Sequence, residues 1–169
     1  MSSRKYKVMV VDDDESICNS LRKLLDSEGY QVISAANGAE ALETFHREQN
    51  QIDLLLVDLN MPIKNGWVVL NELMEVNPSL PAFVLTALPH QSELAEAAGV
   101  NALVEKPIDV PGLLQLIQRQ LVGSAPSPLF QPAGHRAFPF HWLRASRDAQ
   151  RAQWAESPGT PYDHWGLNE

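Results

Sequence analysis

The chain has 169 residues, and 44% of them are hydrophobic, which is enough to bury a core and excludes wholesale disorder. Residues 1–122 hold 9 Lys and Arg against 17 Asp and Glu, a charge of −8, whereas residues 123–169 hold 4 of each; this balance argues against binding a phosphate backbone by charge. Because Cys18 is the one cysteine, no internal disulfide can form, and a reducing cytoplasm is the expected compartment.

Five short apolar runs predict strands, and segments with apolar residues at helical spacing alternate with them. The first run meets three aspartates directly after Val11, so it is too short for a signal peptide or a membrane span. The predicted strands are residues 6–11, 30–35, 52–57, 82–85 and 102–104. The predicted helices are residues 16–27, 39–49, 67–76, 92–98 and about 111–121.

This alternation predicts an α/β fold with a doubly wound, five-stranded parallel sheet that has helices on both faces. Strand–helix–strand connections of this length favour right-handed crossovers. Residues 52–57 are almost uninterrupted apolar, which is typical of a central strand that is buried on both faces. We therefore assign residues 1–122 to one domain.

Residues 123–169 form a tail with a different composition. It holds six of the twelve prolines and three of the four tryptophans, and it begins with a linker-like segment, residues 123–128. We predict that the tail is largely unstructured, either as a docking segment or as an extension without a role. Residues 141–154 have a rough helical periodicity that suggests one helix, which is too little for a DNA-binding module, so no direct DNA binding is expected.

Polar residues stand at the ends of four predicted strands. Asp12 and Asp13 follow the first strand, Asp58 the third, Thr86 the fourth and Lys106 the fifth. Each has an ordinary explanation by itself: a helix first turn, a turn-forming aspartate, a local hydroxyl bond or a surface lysine. Because the carboxyl ends of parallel strands lie along one edge of the sheet, however, we expect these five side chains to converge.

The five side chains have complementary chemistry. Three adjacent carboxylates repel one another unless a cation joins them, and hard oxygen ligands suit Mg²⁺. Lys106 would neutralise one oxygen of a phosphoryl group that the metal gathers, and the Thr86 hydroxyl would donate to another. Asp58 is then the candidate nucleophile, which would form an aspartyl phosphate.

Residues 5–121 resemble the receiver domain of bacterial two-component response regulators, and in particular the chemotaxis regulators. The resemblance implies the flavodoxin-like fold of that family. The matching motifs are Val10-Val-Asp-Asp-Asp14, Val57-Asp-Leu-Asn-Met-Pro62 with Gly66, Val84-Leu-Thr-Ala87 and Lys106-Pro107. The resemblance implies that Asp58 accepts a phosphoryl group from a sensor histidine kinase or a histidine phosphotransfer protein. The chain would then control an unknown downstream protein, and it would catalyse only its own phosphoryl transfer and dephosphorylation.

The resemblance also implies how the metal is held. Asp13, Asp58 and the backbone carbonyl of Asn60 would bind Mg²⁺ directly, whereas Asp12 would act mainly through a metal-bound water. In relatives the fourth helix, fifth strand and fifth helix form a surface that changes and often dimerises, and residues 92–121 match that surface here.

Two further residues take roles from the resemblance, and two positions depart from the family pattern. One is Ile108, which stands where the family often has phenylalanine. Thr86 would swing toward the phosphoryl oxygen after transfer. Lys106 would pair with the phosphoryl group, and the Lys106–Pro107 peptide would be cis as in relatives. Leu103 stands where the family often has an aromatic residue that rotates inward as the threonine moves. The chain therefore departs from the usual threonine–aromatic relay.

Two other classes of function stay open. A receiver-like module could bind a partner without being phosphorylated, although the five strand-end residues argue against it. A phosphatase with an aspartyl-phosphate intermediate would carry a second acid two residues after the nucleophile, where this chain has Asn60. Nucleotide binding is disfavoured, because no Gly-x-Gly-x-x-Gly or Walker-type loop follows the first strand.

Overall fold

The computed structural model describes residues 5–48, 51–62, 65–123 and 141–143. Strands and helices alternate along this part of the chain. The strands are β1 (Lys7–Val11), β2 (Gln31–Ala35), β3 (Leu54–Asp58), β4 (Ala82–Thr86), β5 (Ala102–Glu105) and β6 (His141–Leu143). The helices are α1 (Glu15–Ser27), α2 (Gly38–Glu48), α3 (Gly66–Val76), α4 (Ser92–Ala97) and α5 (Val110–Val122).

All six strands belong to one parallel sheet in the order β2-β1-β3-β4-β5-β6. The predicted doubly wound sheet of five parallel strands with five helices is confirmed for β1 to β5 and α1 to α5. The strand β6 extends this sheet by one strand at the β5 edge. The chain adds strands to one side of β1 and then to the other, so the strand order reverses between β1 and β3. In such sheets, ligands bind in the crevice at the carboxyl ends of the two strands that flank this point.

Successive residues of each central strand enter different layers of the core. In β1, Val8 and Val10 pack in the layer beneath α1 and α5. Met9 and Val11 pack in the opposite layer, beneath α2, α3 and α4. The same alternation continues through β3, β4 and β5. Burial on both faces explains why these strands are continuous apolar runs in the sequence.

The structure shifts the strand ends by one or two residues from the prediction. Asp58 is the last residue of β3, in register with Leu85, and Thr86 is the last residue of β4. The third strand begins at Leu54 and not at Ile52, and the Asp53 residue before it is paired with Lys7: its N–H donates to the Lys7 carbonyl and its carboxylate accepts the Lys7 N–H, each at 2.8 Å. The carboxyl end of the sheet therefore presents its functional side chains directly from buried strands.

The prediction of one helix over residues 141–154 is wrong at its start. Residues 141–143 form the strand β6, which runs parallel to β5. The physical reason is that the edge of β5 offers unpaired backbone groups. Pairing with them as an extended strand stabilises residues 141–143 more than a short helix with weak periodicity would. The rest of that helix, residues 144–154, the linker residues 124–128 and the predicted disorder of the remaining tail lie outside the described residues.

The helices are short relative to the thickness of a bilayer. Among the described residues, no helix combines the length and the apolar character that a transmembrane span requires. The longest of these helices, α1 and α5, have 13 residues each.

Candidate functional site

Asp12 is fixed at the end of β1 by its backbone and by its side chain. Its N–H donates to the carbonyl of Ala35 at 3.2 Å, and its Oδ1 accepts the N–H of Asp14 at 2.9 Å. Asp14 in turn caps α1 by accepting the N–H of Ser16 at 2.8 Å. Hydrogen bonds from Ser16 hold the pKa of Asp14 below its ordinary value. This turn buries Asp12 and leaves Asp13 exposed beside it.

Gly66 allows α3 to begin directly against the end of β3. A Cβ at this position would lie 2.0 Å from the carbonyl oxygen of Asp58 and 2.7 Å from the Cα of Leu59. The N–H of Gly66 donates to the carbonyl of Leu59 at 3.2 Å, and the side chain of Asn65 caps the helix by accepting the Trp67 N–H at 2.8 Å. Asp58 is therefore held between its own strand and the first turn of α3.

Lys106 brings the end of β5 to the two buried carboxylates. Its Nζ donates to Oδ2 of Asp12 at 2.9 Å and lies 3.3 Å from Oδ1 of Asp58. Its backbone N–H donates to the carbonyl of Thr86 at 2.7 Å, which joins the ends of β4 and β5. The Lys106–Pro107 peptide is cis, as the resemblance implied. The lysine is thus positioned by its backbone as well as by its ammonium group.

The charges at this site are strongly coupled. Burial raises the pKa of Asp58, the positive charge of Lys106 works against that rise, and the negative charge of Asp12 adds to it. For Lys106, burial disfavours the ammonium, but the hydrogen bond to Asp12 and the charge of Asp58 outweigh it and raise the pKa. Lys106 therefore stays protonated. The cost of burying the Asp58 carboxylate is only partly offset by the Lys106 charge.

Oδ1 of Asp58 is a buried acceptor without a hydrogen bond among the described residues. The Lys106 ammonium lies within ion-pair distance of this oxygen but lacks hydrogen-bond geometry. An unsatisfied buried carboxylate oxygen costs stability unless something else approaches it. The oxygen is therefore available to a cation or to an electrophile that enters from the sheet edge.

Replacing Asp58 by asparagine should stabilise the protein near pH 7, because it removes a buried and poorly compensated charge. The penalty of ionised Asp58 is absent below its unfolded-state pKa of about 3.9. It becomes fully present as the pH rises through the raised folded-state pKa. We expect Asp58→Asn to raise the free energy of unfolding by on the order of 1 kcal/mol at pH 7, and to have almost no effect near pH 4. Urea denaturation in metal-free buffer at both pH values measures this, and a less stable variant at pH 7 would contradict it.

The acidic residues fit a magnesium ion. One carboxylate oxygen from each of Asp12, Asp13 and Asp58 lies within 4.8 Å of the others. Asp13 is exposed and Oδ1 of Asp58 lacks a hydrogen bond, so both can turn toward a metal, whereas both oxygens of Asp12 already accept hydrogen bonds. This division agrees with an indirect role for Asp12. Mg²⁺ requires only one or two carboxylates and keeps several waters, so the donor set is sufficient.

Asn60 and Thr86 lie at the same edge, but their predicted roles stay predictions. Asn60 is exposed, and its backbone N–H donates to the Asp58 carboxylate. Thr86 is buried, and its hydroxyl oxygen accepts the N–H of Leu88 at 2.9 Å. A hydroxyl can accept and donate at once, so this bond is compatible with donation to a phosphoryl oxygen. Leu103 is buried in the core beneath α2, α3 and α4, where it packs as an ordinary aliphatic residue.

Two side-chain contacts near the site were not predicted from the sequence. The buried indole of Trp67 donates through Nε1 to Oε1 of Gln91 at 3.1 Å, which ties α3 to the segment between β4 and α4. A buried indole N–H indicates that some acceptor exists, but the sequence does not identify it. The thiol of Cys18 donates to the Asp12 carbonyl at 3.2 Å. Burial, with the Asp12 charge, raises the Cys18 pKa to about 11, so the thiol is unreactive.

Comparison with known sequences assigns the region that contains this site to a protein family. The sequence profile described as "Response regulator receiver domain" matches residues 8–118. Transcriptional regulatory protein GlrR of Escherichia coli (strain K12) is 36% identical over 130 residues, which are 75% of this chain and 29% of GlrR. The response regulator receiver protein Anae109_2439 of Anaeromyxobacter sp. (strain Fw109-5) is 34% identical over 115 residues, 67% of this chain and 47% of that protein. The chain thus spans less than half the length of these curated relatives.

Solved structures show the same architecture. Chemotaxis protein CheY4 of Vibrio cholerae superposes with a TM-score of 0.64 at 30% identity, over 70% of this chain and 100% of CheY4. Response regulator protein TrrA of Thermotoga maritima, solved in complex with Mg(2+)-BeF, superposes with a TM-score of 0.62 at 31% identity, over 69% of this chain and 99% of TrrA. Since the profile covers most of the chain and the fold and the acidic edge agree with it, the chain belongs to the response regulator receiver domain family of two-component signal transduction.

Proposed function

We propose that the chain is a phosphorylatable signalling switch in which Asp58 accepts a phosphoryl group from a phosphohistidine. The donor would be a sensor histidine kinase or a histidine phosphotransfer protein. The observation that carries this proposal is the Asp58 carboxylate itself. Its Oδ1 is buried without a hydrogen bond among the described residues, it lies 3.3 Å from the Lys106 ammonium, and it belongs to an acidic cluster that suits Mg²⁺.

The transfer requires positioning and charge stabilisation more than further covalent chemistry. An Asp58 carboxylate oxygen attacks the phosphorus, a P–O bond forms, and the P–N bond to the donor histidine breaks, with its electron pair left on the imidazole nitrogen. Asp13, Asp58 and the backbone carbonyl of Asn60 would hold Mg²⁺ directly and Asp12 would hold it through water, and the metal would supply positive charge to the phosphoryl oxygens. Lys106 contributes the second positive charge, and the Thr86 hydroxyl donates a hydrogen bond.

Phosphorylation would change the balance of contacts at the edge of the sheet. The acyl phosphate replaces the single negative charge of the Asp58 carboxylate by nearly two, beside the carboxylates of Asp12 and Asp13. The Lys106 ammonium would then be drawn from Asp12 toward the new oxygens. Because the Lys106 backbone joins β5 to Thr86, such a shift would reach the segment between β4 and α5. We propose residues 92–121 as the surface that contacts a downstream protein or a second copy of the chain.

We infer that the output is a protein contact, that the chain acts on no substrate other than its own phosphoryl group, and that it works in the cytoplasm. The excess of acids in residues 1–122 disfavours direct contact of this region with DNA. GlrR is named a transcriptional regulatory protein, and this chain spans 29% of its length. The output of that whole protein is therefore not carried over to this chain.

Intact-protein mass spectrometry after incubation with acetyl phosphate tests the proposal. We expect wild-type protein to gain one phosphoryl group in the presence of Mg²⁺ and none after chelation, because the acidic cluster needs the cation to accept a polyanion. Asp58→Asn should gain none under either condition. Circular dichroism of the variant establishes that it is folded.

Two results would count against the proposal. An equal adduct on Asp58→Asn would place the phosphoryl group elsewhere. No adduct on the wild-type protein, under conditions in which another receiver domain is labelled, would favour the receiver-like binding module that works without phosphorylation.

A further inference from the structure

The strand β6 covers an edge of the sheet that would otherwise be open. In the described sheet, β5 pairs with β4 on one side and with β6 on the other. Ala102, Leu103 and Val104 in β5 are all buried and apolar. An open apolar edge strand is a template for pairing with another extended segment. The chain supplies that segment itself from residues 141–143.

The register shows which backbone groups form this contact. The N–H of Asn101 donates to the carbonyl of Ala82 in β4 at 2.8 Å. Because backbone groups alternate in direction along a strand, those of Ala102 and Val104 are directed away from β4 and toward β6. Leu103 is in register with Trp142, so the backbone groups of Trp142 lie between those of Ala102 and Val104. The pairing is three residues long, the shortest ladder of the described sheet.

This ladder ends two residues before the lysine of the carboxylate site. Val104 is the last β5 residue in register with β6, and Lys106 holds Asp12 through an ammonium that also lies 3.3 Å from Asp58. A phosphoryl group on Asp58 would compete with Asp12 for this ammonium. Lys106 directly follows β5, so its displacement would move the end of β5. The β5–β6 ladder has only three residue pairs, so a small movement of β5 is enough to break it.

We propose that residues 141–143 are a displaceable strand, which docks on the β5 edge of its own chain and is released when a phosphoryl group occupies the carboxylate site. The docking does not depend on the proposed function, whereas the release rests on phosphorylation of Asp58. By linkage, if an occupied site weakens strand docking, loss of the strand must favour an occupied site by the same factor. When Asp58 is phosphorylated, residues 141–143 would leave and the β5 edge would become available for pairing with another segment.

Docking is tested by hydrogen exchange of single amides in the full-length chain, followed by NMR. Trp142→Pro removes the N–H that pairs with β5, and Ala149→Pro adds the same residue to the tail outside β6. The register places the Val104 N–H on the Trp142 carbonyl, so we expect the amide of Val104 to exchange about tenfold faster or more in Trp142→Pro. The amide of Leu103 is directed toward β4 and should not change. Equal exchange at Val104 in both variants would overturn the docking.

Release is tested by adding Mg²⁺ and beryllium trifluoride, an analogue of the phosphoryl group. In the wild-type chain we expect exchange at Val104 to accelerate, and we expect Trp142→Pro to bind the analogue about fivefold more tightly or more than Ala149→Pro does. Binding of the analogue without faster exchange would overturn the release. If the wild-type chain neither binds the analogue nor accepts a phosphoryl group, the proposed function fails, while the comparison of the two proline variants still decides the docking.

Discussion

Gly66→Ala should destabilise the protein by about 3 kcal/mol or more and should weaken phosphoryl uptake by Asp58 in the fraction that remains folded. The added Cβ would lie 2.0 Å from the Asp58 carbonyl oxygen, 2.9 Å from its carbonyl carbon and 2.7 Å from the Leu59 Cα. All three are backbone atoms, so no side-chain rotation relieves the clash. Either α3 must move away from β3, or the end of β3 must move, and the second change carries Asp58 with it.

Urea denaturation measures this effect, and Gly29→Ala provides the matched control. Gly29 has a φ of +88°, and apart from its own atoms and its chain neighbours no heavy atom lies within 4 Å of the position that its Cβ would take, so alanine there meets backbone strain of about 1–2 kcal/mol and no clash. It also lies outside the carboxylate site, so phosphoryl uptake by Gly29→Ala should match the wild type. If Gly66→Ala proved as stable as Gly29→Ala, the close approach of α3 to the end of β3 would be refuted.

Lys106→Met should destabilise the metal-free protein by about 3 kcal/mol, because it leaves two buried carboxylates without their ammonium partner. The Nζ of Lys106 lies 2.9 Å from Asp12 and 3.3 Å from Asp58, which are 1% and 3% exposed in their side chains. Mg²⁺ should restore part of the loss, since a cation that binds only the folded state stabilises it by mass action. Urea denaturation with and without Mg²⁺ measures both effects.

The pH dependence gives Lys106→Met a second readout. The folded-state pKa of Lys106 is raised, so its stabilisation is fully present below the unfolded-state value of about 10.4 and is lost as the pH rises through the folded-state pKa. The difference between variant and wild type should therefore be constant near neutral pH and shrink in strong alkali. Lys23→Met removes an exposed lysine from α1 and should change stability very little. A Lys106→Met protein as stable as Lys23→Met would contradict the account.

The sequence predicts the sheet and the convergence at its edge for identifiable physical reasons. Strands buried on both faces are continuous apolar runs, so β1, β3 and β4 can be recognised without any long-range information. The parallel topology then brings Asp12, Asp58 and Lys106 together, because each follows or ends a strand at the same edge. That prediction needed only the order of the elements and no knowledge of side-chain packing.

The features that the sequence did not predict depend on pairing between distant segments. The strand β6 forms because the β5 edge is open, and a three-residue segment carries no periodicity that would distinguish it from a helix start. The Trp67–Gln91 hydrogen bond depends on how α3 approaches the segment before α4. Similarly, the Cβ distance at Gly66 follows from the packing of α3 on β3, whereas the sequence shows only a turn residue.

The central claim is that Asp58 itself carries the phosphoryl group, and chemical trapping tests it most directly. Borohydride reduces an aspartyl phosphate to homoserine, so the modified position can be located by peptide mass spectrometry after incubation with Mg²⁺ and acetyl phosphate. The structure predicts homoserine at position 58 and at no other aspartate, because Asp58 alone among the described aspartates combines a buried, unbonded oxygen with the Lys106 ammonium and the acidic cluster. Homoserine at position 12 or 13, or a phosphoryl adduct that leaves Asp58 unreduced, would contradict the account.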